Sequence, residues 1–369
     1  MLFSELNLNS DLMSGIHDVG YEQMTDVQVQ VIPHILNGRD VLAKAKTGTG
    51  KTAAFGIPLI EKLLQTTATK KVRGLVVAPT RELAIQIGEN FEQYATHTNL
   101  TVGVMYGGVT PKRHIKVVKR EPDIIVSTPG RILDFVTQGL VDLSDLQFFV
   151  LDEADQLLDE SMLHIVRKII ALLPNKRQNL LFSATMPKHI LKVANSFMKN
   201  YEKIVVADSA VEDVEIKQYV SYVEEVHKTE MLLKWLKETE YESVMIFVRT
   251  KKKADKLSKV INVANIRNKA IHGDKSQSER QKSLALFKDK EIKILVTTDV
   301  AARGIDIDQL SHVINFNIPN VAETYIHRIG RTGRAGKSGI ALSLCSTEER
   351  DDLKNIEVLQ QKKIEEMSY

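Results

Sequence analysis

Short aliphatic runs recur along this chain, too continuously apolar for strands with one wet face. They lie at Val41 to Ala45, Gly74 to Ala78, Thr101 to Met105, Asp123 to Val126, Phe148 to Leu151 and Asn179 to Phe182. Such runs suit strands buried on both faces of a parallel sheet. Amphipathic segments such as Glu82 to Tyr94 and Leu163 to Leu173 separate them, giving a strand-helix-strand rhythm. The rhythm pauses at the acidic stretch Asp208 to Lys217. It resumes at Ile216 to Tyr222, Ser243 to Val248, Asn268 to Ile271, Ile292 to Thr297, His312 to Phe316 and Gly339 to Cys345. The expectation is an α/β chain of two tandem domains, each a mostly parallel sheet flanked by helices, with a cleft between them. The boundaries are read as 1–207, a linker at 208–216, and 217–369. A length of 369 residues agrees with two or three domains of about 150 residues each. Thr66 to Lys71 reads as a polar surface loop, and Glu348 to Glu366 as a helical tail that docks on the second domain or serves a partner.

Composition excludes several classes. One cysteine, Cys345, cannot form an intrachain disulfide, and it sits in an apolar run as a small core residue. Disulfide scaffolds and cysteine-based zinc sites are out, and a reducing compartment, the cytoplasm, is favoured. Ten histidines occur without a His-Glu-x-x-His pattern. No apolar run approaches the ~18 residues of a membrane span, and Met1 to Asp11 lacks the pattern of a signal peptide. Fifty Lys and Arg against forty-seven Asp and Glu leave only +3, so any nucleic-acid site must be a local surface.

One stretch reads as a phosphate-binding loop, with an ordinary flexible loop as the bland alternative. Ala45, Lys46, Thr47, Gly48, Thr49, Gly50, Lys51 and Thr52 follow a predicted strand and open a predicted helix. Gly48 and Gly50 let several backbone N–H groups converge on one anion, and the helix N-terminus adds partial positive charge. Lys51 can reach terminal phosphates and the Thr52 hydroxyl can ligate Mg²⁺. Ala45 stands where the strict pattern has glycine. Pro58 is expected to kink or end the following helix early. A second Gly-Lys-Ser at Gly336 to Ser338 precedes a strand, lacks the helix dipole, and reads as a turn.

Asp152-Glu153-Ala154-Asp155 directly follows the strand Phe148 to Leu151. A carboxylate there is held at the carboxyl edge of a sheet, where ligands of α/β folds bind. Asp152 can hold Mg²⁺ through water, and Glu153 can polarise a water for attack on a γ-phosphate. Acidic residues in a helix's first turn are also a plain structural preference. Arg331 and Arg334 lie three apart with Gly330 and Gly333 interleaved. On one helical turn they would share a face and act as arginine fingers, worth roughly 10³–10⁵ in rate; a solvated basic face is the bland alternative.

With these residues in place, the chain resembles the DEAD-box RNA helicases of superfamily 2, from Phe3 to about Ser346. The resemblance rests on an ordered set: Gly20-Tyr21 through Thr25 to Gln28; Pro79 to Ala84; Gly107-Gly108; Thr128 to Arg131; Asp152 to Asp155; Ser183-Ala184-Thr185; Met245 to Val248; Gln277 with Arg280; Thr298-Asp299 with Ala302 to Asp306; and His327 to Arg334. It implies two RecA-like domains, ATP and Mg²⁺ as cofactors, and RNA-stimulated ATP hydrolysis with non-processive unwinding of short duplexes by strand bending. By resemblance Gln28 reads the adenine edge, a role its paired donor and acceptor suit. Phe3 and Tyr21 support the same pocket, although core packing explains them equally well, and Met24 replaces the family's usual proline. Asp306 resembles the acid that binds the ribose. Ser183 and Thr185 resemble the motif coupling Asp155 to closure, with His327 across the cleft; as residues alone they read equally as strand-end caps.

The resemblance places RNA contacts at Pro79, Thr80, Arg81, Gly107, Gly108, Thr128, Gly130 and Arg131, and at Gly273, Arg280 and Thr298 in the second domain. Arg249 is the weakest of the set, and the basic stretch Lys112 to Arg120 reads as an exposed helix face. Exposed N–H groups and arginine forks suit backbone contact, hence sequence-tolerant binding of single-stranded or short duplex RNA, with 2′-hydroxyls separating RNA from DNA. The expected molecule is a monomer without membrane association, with protein partners for targeting. Two rivals stay open, an ATP-gated RNA clamp and a DNA-acting superfamily 2 helicase.

Overall fold

The computed structural model describes residues 1–46, 48–67, 69–206, 216–302, 307, 310–333 and 338–367. The predicted linker at 208–216, Thr47, Arg303 to Asp306, Arg334 and the Gly336-Lys337 pair lie wholly or almost wholly outside these residues. The chain divides into two units, Met1–Ser209 and Ala210–Tyr369.

The first unit carries β1 (Val41–Lys44), β2 (Gly74–Val77), β3 (Val102–Met105), β4 (Ile124–Ser127), β5 (Phe148–Leu151), β6 (Gln178–Ser183) and β7 (Glu202–Val205). They form one sheet in the order β3-β4-β2-β5-β6-β1-β7, with every pairing parallel. All residues of β2, β4, β5 and β6 are buried, as continuous apolar runs require when helices cover both faces. One core packs Val41, Ala43, Val76 and Val150 under helices Asp26–Leu36, Lys51–Leu64 and Arg81–Tyr94. The other face packs Leu42, Leu75, Phe149 and Leu181 against Phe135, Val166 and Ile190.

The second unit carries β8 (Ile216–Tyr222), β9 (Val244–Phe247), β10 (Asn268–Ile271), β11 (Ile294–Thr297), β12 (His312–Asn315), β13 (Gly339–Cys345) and β14 (Glu365–Glu366). Their order is β10-β11-β9-β12-β13-β8-β14, again all parallel. Cys345 is buried in this unit's core, where burial pushes its thiol up to about 11.

Three expectations change. Helix Lys51–Leu64 does not end at Pro58 but continues six residues beyond it. The proline removes one backbone donor, but Phe55, Pro58, Leu59 and Ile60 are all buried, and that packing holds the helix. The tail opens on a 3-10 turn at Thr347–Glu349 and is α-helical over Arg350–Gln360; Gln361 turns left-handed, and Glu365–Glu366 adds to β8 as β14. The tail docks on the second unit, since Leu353 and Ile356 pack with Tyr325 and Ile329. Arg331 is not on a helix, because helix Ala322–Ile329 ends at Gly330, so the one-turn spacing of Arg331 and Arg334 does not apply.

Candidate functional site

The strand order decides where the chemistry gathers. β6 lies between β1 and β5, so three neighbouring carboxyl ends present Ala45 to Thr52, Ser183 to Thr185 and Asp152 to Asp155 side by side. The Ala45 N–H donates to Ser183 O at 3.0 Å, joining the first two of these loops.

In the phosphate loop, Gly48 and Gly50 have φ of +81° and +89°, which only glycine adopts without strain. A Cβ at Gly50 would come within 2.5 Å of Gln28 Nε2. Gln28 is itself buried: its Oε1 accepts from the Thr25 N–H at 2.8 Å and its Nε2 donates to Gly50 O at 3.2 Å. The amide thus ties the start of helix Asp26–Leu36 to the phosphate loop. It keeps one N–H and one lone pair for another partner. Phe3 is buried and stacked under Tyr21 at 6.0 Å with an 18° interplanar angle, while Tyr21 is 38% exposed. Phe3 is therefore core, and Tyr21 is the face that a base could meet. Met24 is buried beneath the same turn.

Lys51 opens its helix and is buried, with Nζ donating to Ala45 O at 3.0 Å. Asp152 is 3% exposed. Burial pushes its carboxyl above the usual range, opposed by the Lys51 charge and by the Glu153 N–H, which donates to Oδ1 at 2.9 Å. The buried ammonium of Lys51 favours the ionised carboxylate, against the cost of burial. Thr52 stands half-buried on the first turn of the same helix. Thr52 and Asp152 offer only oxygen donors, a set that fits a hard cation such as Mg²⁺.

Glu153 has φ +52°, a left-handed conformation costly for a residue with a side chain. Its Oε2 accepts from Gln156 Nε2 at 2.6 Å. The sequence reading missed Gln156, although three positions along a helical turn is a legible spacing. Asp155 closes the cluster: its N–H donates to Ser183 Oγ at 3.2 Å, and its Oδ2 accepts from Thr185 N–H at 3.0 Å and Thr185 Oγ1 at 2.9 Å.

A separate groove of about 410 Å³ in the same unit is lined by Pro79, Gly107, Thr128, Gly130 and Arg131, with Met162 and Ile165 as its apolar wall. Gly107 N–H donates to Thr128 Oγ1 at 3.2 Å. Thr80 caps helix Arg81–Tyr94 by accepting from Leu83 N–H at 3.3 Å. Gly108 has φ +75°, and a Cβ there would overlap the Arg81 guanidinium lying against it. Arg131 is turned inward and 8% exposed: Nη2 donates to Val109 O at 2.7 Å and Nη1 lies 3.1 Å from His114 Nδ1. The basic stretch Lys112 to Arg120 is exposed at Lys112, Arg113, Lys116, Lys119 and Arg120, and His114 is the one buried residue of helix Pro111–Val118.

In the second unit, Gly273 is exposed, whereas Arg280 and Thr298 are buried. Arg249 is held by Ile318 O at 3.1 Å and Glu349 Oε1 at 3.3 Å, so its guanidinium braces the fold. Thr298 is followed by Asp299, which takes a bidentate grip from buried Arg328 at 2.5 and 2.8 Å. His327 is half-buried on helix Ala322–Ile329. Asp306 and Arg334 lie outside the described residues.

His114 also predicts a pH dependence. Burial, then the charges of Arg131 and Arg113, push its ring from the ordinary 6.5 down to about 4. The unfolded chain therefore takes up a proton that the folded chain refuses. Stability from this group is whole above pH 6.5 and declines as pH falls toward 4. Between pH 7 and 5 the loss is on the order of 1–2 kcal/mol. Melting curves of wild type and His114→Gln should show that decline only in wild type.

Comparison with known proteins agrees with this arrangement. The DEAD/DEAH box helicase family matches residues 25–193, and the helicase conserved C-terminal domain matches residues 227–336. The DEAD-box ATP-dependent RNA helicase CshA of Bacillus cereus is 42% identical over 365 residues, covering 99% of this chain and 69% of the relative. CshA of Bacillus subtilis is 40% identical, covering 99% and 74%. Among solved structures, Dbp5 of S. cerevisiae bound to RNA and ADP BeF3 aligns with TM-score 0.86 at 30% identity, covering 99% of this chain and 95% of that one. Mss116 bound to ssRNA and UDP-BeF aligns with TM-score 0.88 at 28% identity, covering 100% and 79%.

Proposed function

This chain belongs to the DEAD/DEAH box helicase family, and on that premise we propose that it separates short RNA duplexes non-processively, closing its two units around ATP and bending one strand. It is an ATP-dependent RNA helicase of the DEAD-box type. The observation that carries the reading is the meeting of Lys51, Asp152, Glu153 and Ser183 at three adjacent strand ends, two of them as an opposed buried charge pair.

From that geometry the residues take roles. The loop N–H groups of Lys46 to Thr52 and the Lys51 ammonium hold the nucleotide's phosphates, Lys51 exchanging its Ala45 carbonyl for phosphate oxygen. Tyr21 carries the base, and the spare N–H and lone pair of Gln28 read adenine. Thr52 and Asp152 would hold Mg²⁺, which when bound neutralises phosphate charge. Glu153, aimed by Gln156, takes a proton from the attacking water. Arg331, Arg334 and Asp306 complete the nucleotide site from the second unit, where a guanidinium on the γ-phosphate makes hydrolysis wait for closure.

RNA lies on the Pro79, Thr80, Arg81, Gly107, Gly108, Thr128 and Gly130 surface and on Gly273, Arg280 and Thr298 of the second unit. Binding there reads backbone and 2′-hydroxyls. Asp155, Ser183, Thr185 and His327 report closure to the acidic loop. The chain works as a monomer in the cytoplasm, with protein partners directing it to particular RNAs. Among the described residues no helix is long and apolar enough to cross a membrane.

The test is steady-state ATP hydrolysis without nucleic acid, with single-stranded RNA and with matching DNA. Strong stimulation by RNA alone, followed by separation of a short RNA duplex, is the expected result. Tight ATP-dependent RNA binding without stimulated turnover would make the protein a clamp, and equal stimulation by DNA would move it to the DNA-acting helicases.

A further inference from the structure

His114 is 1% exposed and stands between the two loops that wall the groove. Its Nδ1 lies 3.1 Å from Arg131 Nη1, which can only donate, so Nδ1 is the acceptor in that contact. Its Nε2 is approached by the Tyr106 N–H at 3.4 Å, one residue before Gly107; a neutral ring has one acceptor nitrogen, so it accepts from one of these two donors, and the shorter contact is with Arg131. The ring also meets Tyr106 edge-on at 5.2 Å and Phe135 at 6.2 Å. Arg131 completes the frame by donating to Val109 O at 2.7 Å and lying over Phe135 at 5.5 Å. One guanidinium therefore spans from the turn at Thr128 to the loop 106–109, and a single imidazole fixes its other arm.

We propose that His114 is a positioning residue for RNA binding: it touches no RNA, but aims Arg131 so that the Gly107-Gly108 loop and the Thr128 to Arg131 turn stand at the separation an RNA backbone requires. The inference rests on the groove being the RNA surface. The physical case is the choice of side chain. A buried guanidinium demands an acceptor on each exposed N–H edge. A neutral imidazole supplies one without adding a second carboxylate to a groove that Asp134 already lines. It is also rigid, with two rotatable bonds, so the loop spacing is set by a ring and not by a flexible chain.

The test compares wild type with His114→Gln, His114→Asn and His114→Leu. Glutamine keeps an acceptor at the reach of the ring, asparagine is polar but too short, and leucine is apolar and similar in bulk. Fluorescence anisotropy of a labelled single-stranded RNA with a non-hydrolysable ATP analogue gives affinity, and RNA-stimulated hydrolysis separates half-saturating RNA from kcat. Leucine and asparagine should raise half-saturating RNA about tenfold, the worth of one hydrogen bond to a charged group, with kcat at saturating RNA held within twofold. Glutamine should stay close to wild type.

Wild-type affinity in leucine and asparagine variants overturns the inference. So does equal damage in all three variants, which would mark a packing site only. No ATP-dependent RNA affinity in wild type itself overturns the reading of the groove, and the inference with it.

Discussion

Glu153→Gln should lower RNA-stimulated ATP turnover by about 10²–10⁴, the worth of a positioned general base, while ATP and RNA binding persist. The substitution is nearly isosteric, so the left-handed backbone at φ +52° and the neighbouring Asp152 contact stay in place. What changes is the proton acceptor. The Gln156 amide, now 2.6 Å from Glu153 Oε2, can still donate to the new carbonyl oxygen, so the side chain keeps its aim. Single-turnover hydrolysis and RNA anisotropy on one preparation check both halves. Wild-type turnover in the variant would remove Glu153 from the chemistry. Loss of nucleotide binding would show that its charge serves the ground state.

Arg331→Lys should cost nearly as much, about 10³ in RNA-stimulated turnover. A lysine keeps the charge and loses the planar fork that grips two phosphate oxygens. The backbone at this position is well fixed: Arg331 O accepts from Leu310 N–H at 3.1 Å, and its own N–H donates to Arg328 O at 3.2 Å. Arg328 in turn is locked onto Asp299 and onto Asn315 Oδ1 at 3.0 Å. Arg331 is therefore held on a stiff turn and is 9% exposed, so melting has to be read beside turnover to separate a lost grip on phosphate from lost packing. Turnover, ATP affinity and melting measured together decide the point. Wild-type kcat, or a fall in melting matching the fall in rate, would make the arginine structural.

The sequence made the buried strands plain because nothing interrupts their apolar runs. Ten residues of β5 and β6 are buried without exception, which no helix face or one-sided strand produces. The edges were not legible. β7 is Glu202–Val205, with alternating exposure at the rim, and β14 is two exposed glutamates; neither has the signature of a strand, because edge strands need not be apolar on both sides. The loop and the acids could be placed from their positions after β1 and β5, whereas their adjacency depends on β6 arriving between them from later in the chain. Arg331 was misassigned to a helical turn because Gly330 ends the helix, and a glycine at a helix C-terminus is a stop signal. His114 carried no signal at all: in a helix of exposed basic residues, one inward ring is indistinguishable from ordinary core. The inward turn of Arg131 follows from that ring and was equally hidden.

The left-handed backbone of Glu153 has an evolutionary consequence. Such a conformation costs about 1–3 kcal/mol in any residue bearing a side chain, and glycine would relieve it at once. A population under pressure for robustness alone would drift toward that relief. Only the need for a carboxylate at this point of the chain opposes it. The position is thus contested between two kinds of selection, and a lineage that retired from hydrolysis would be expected to surrender this residue early.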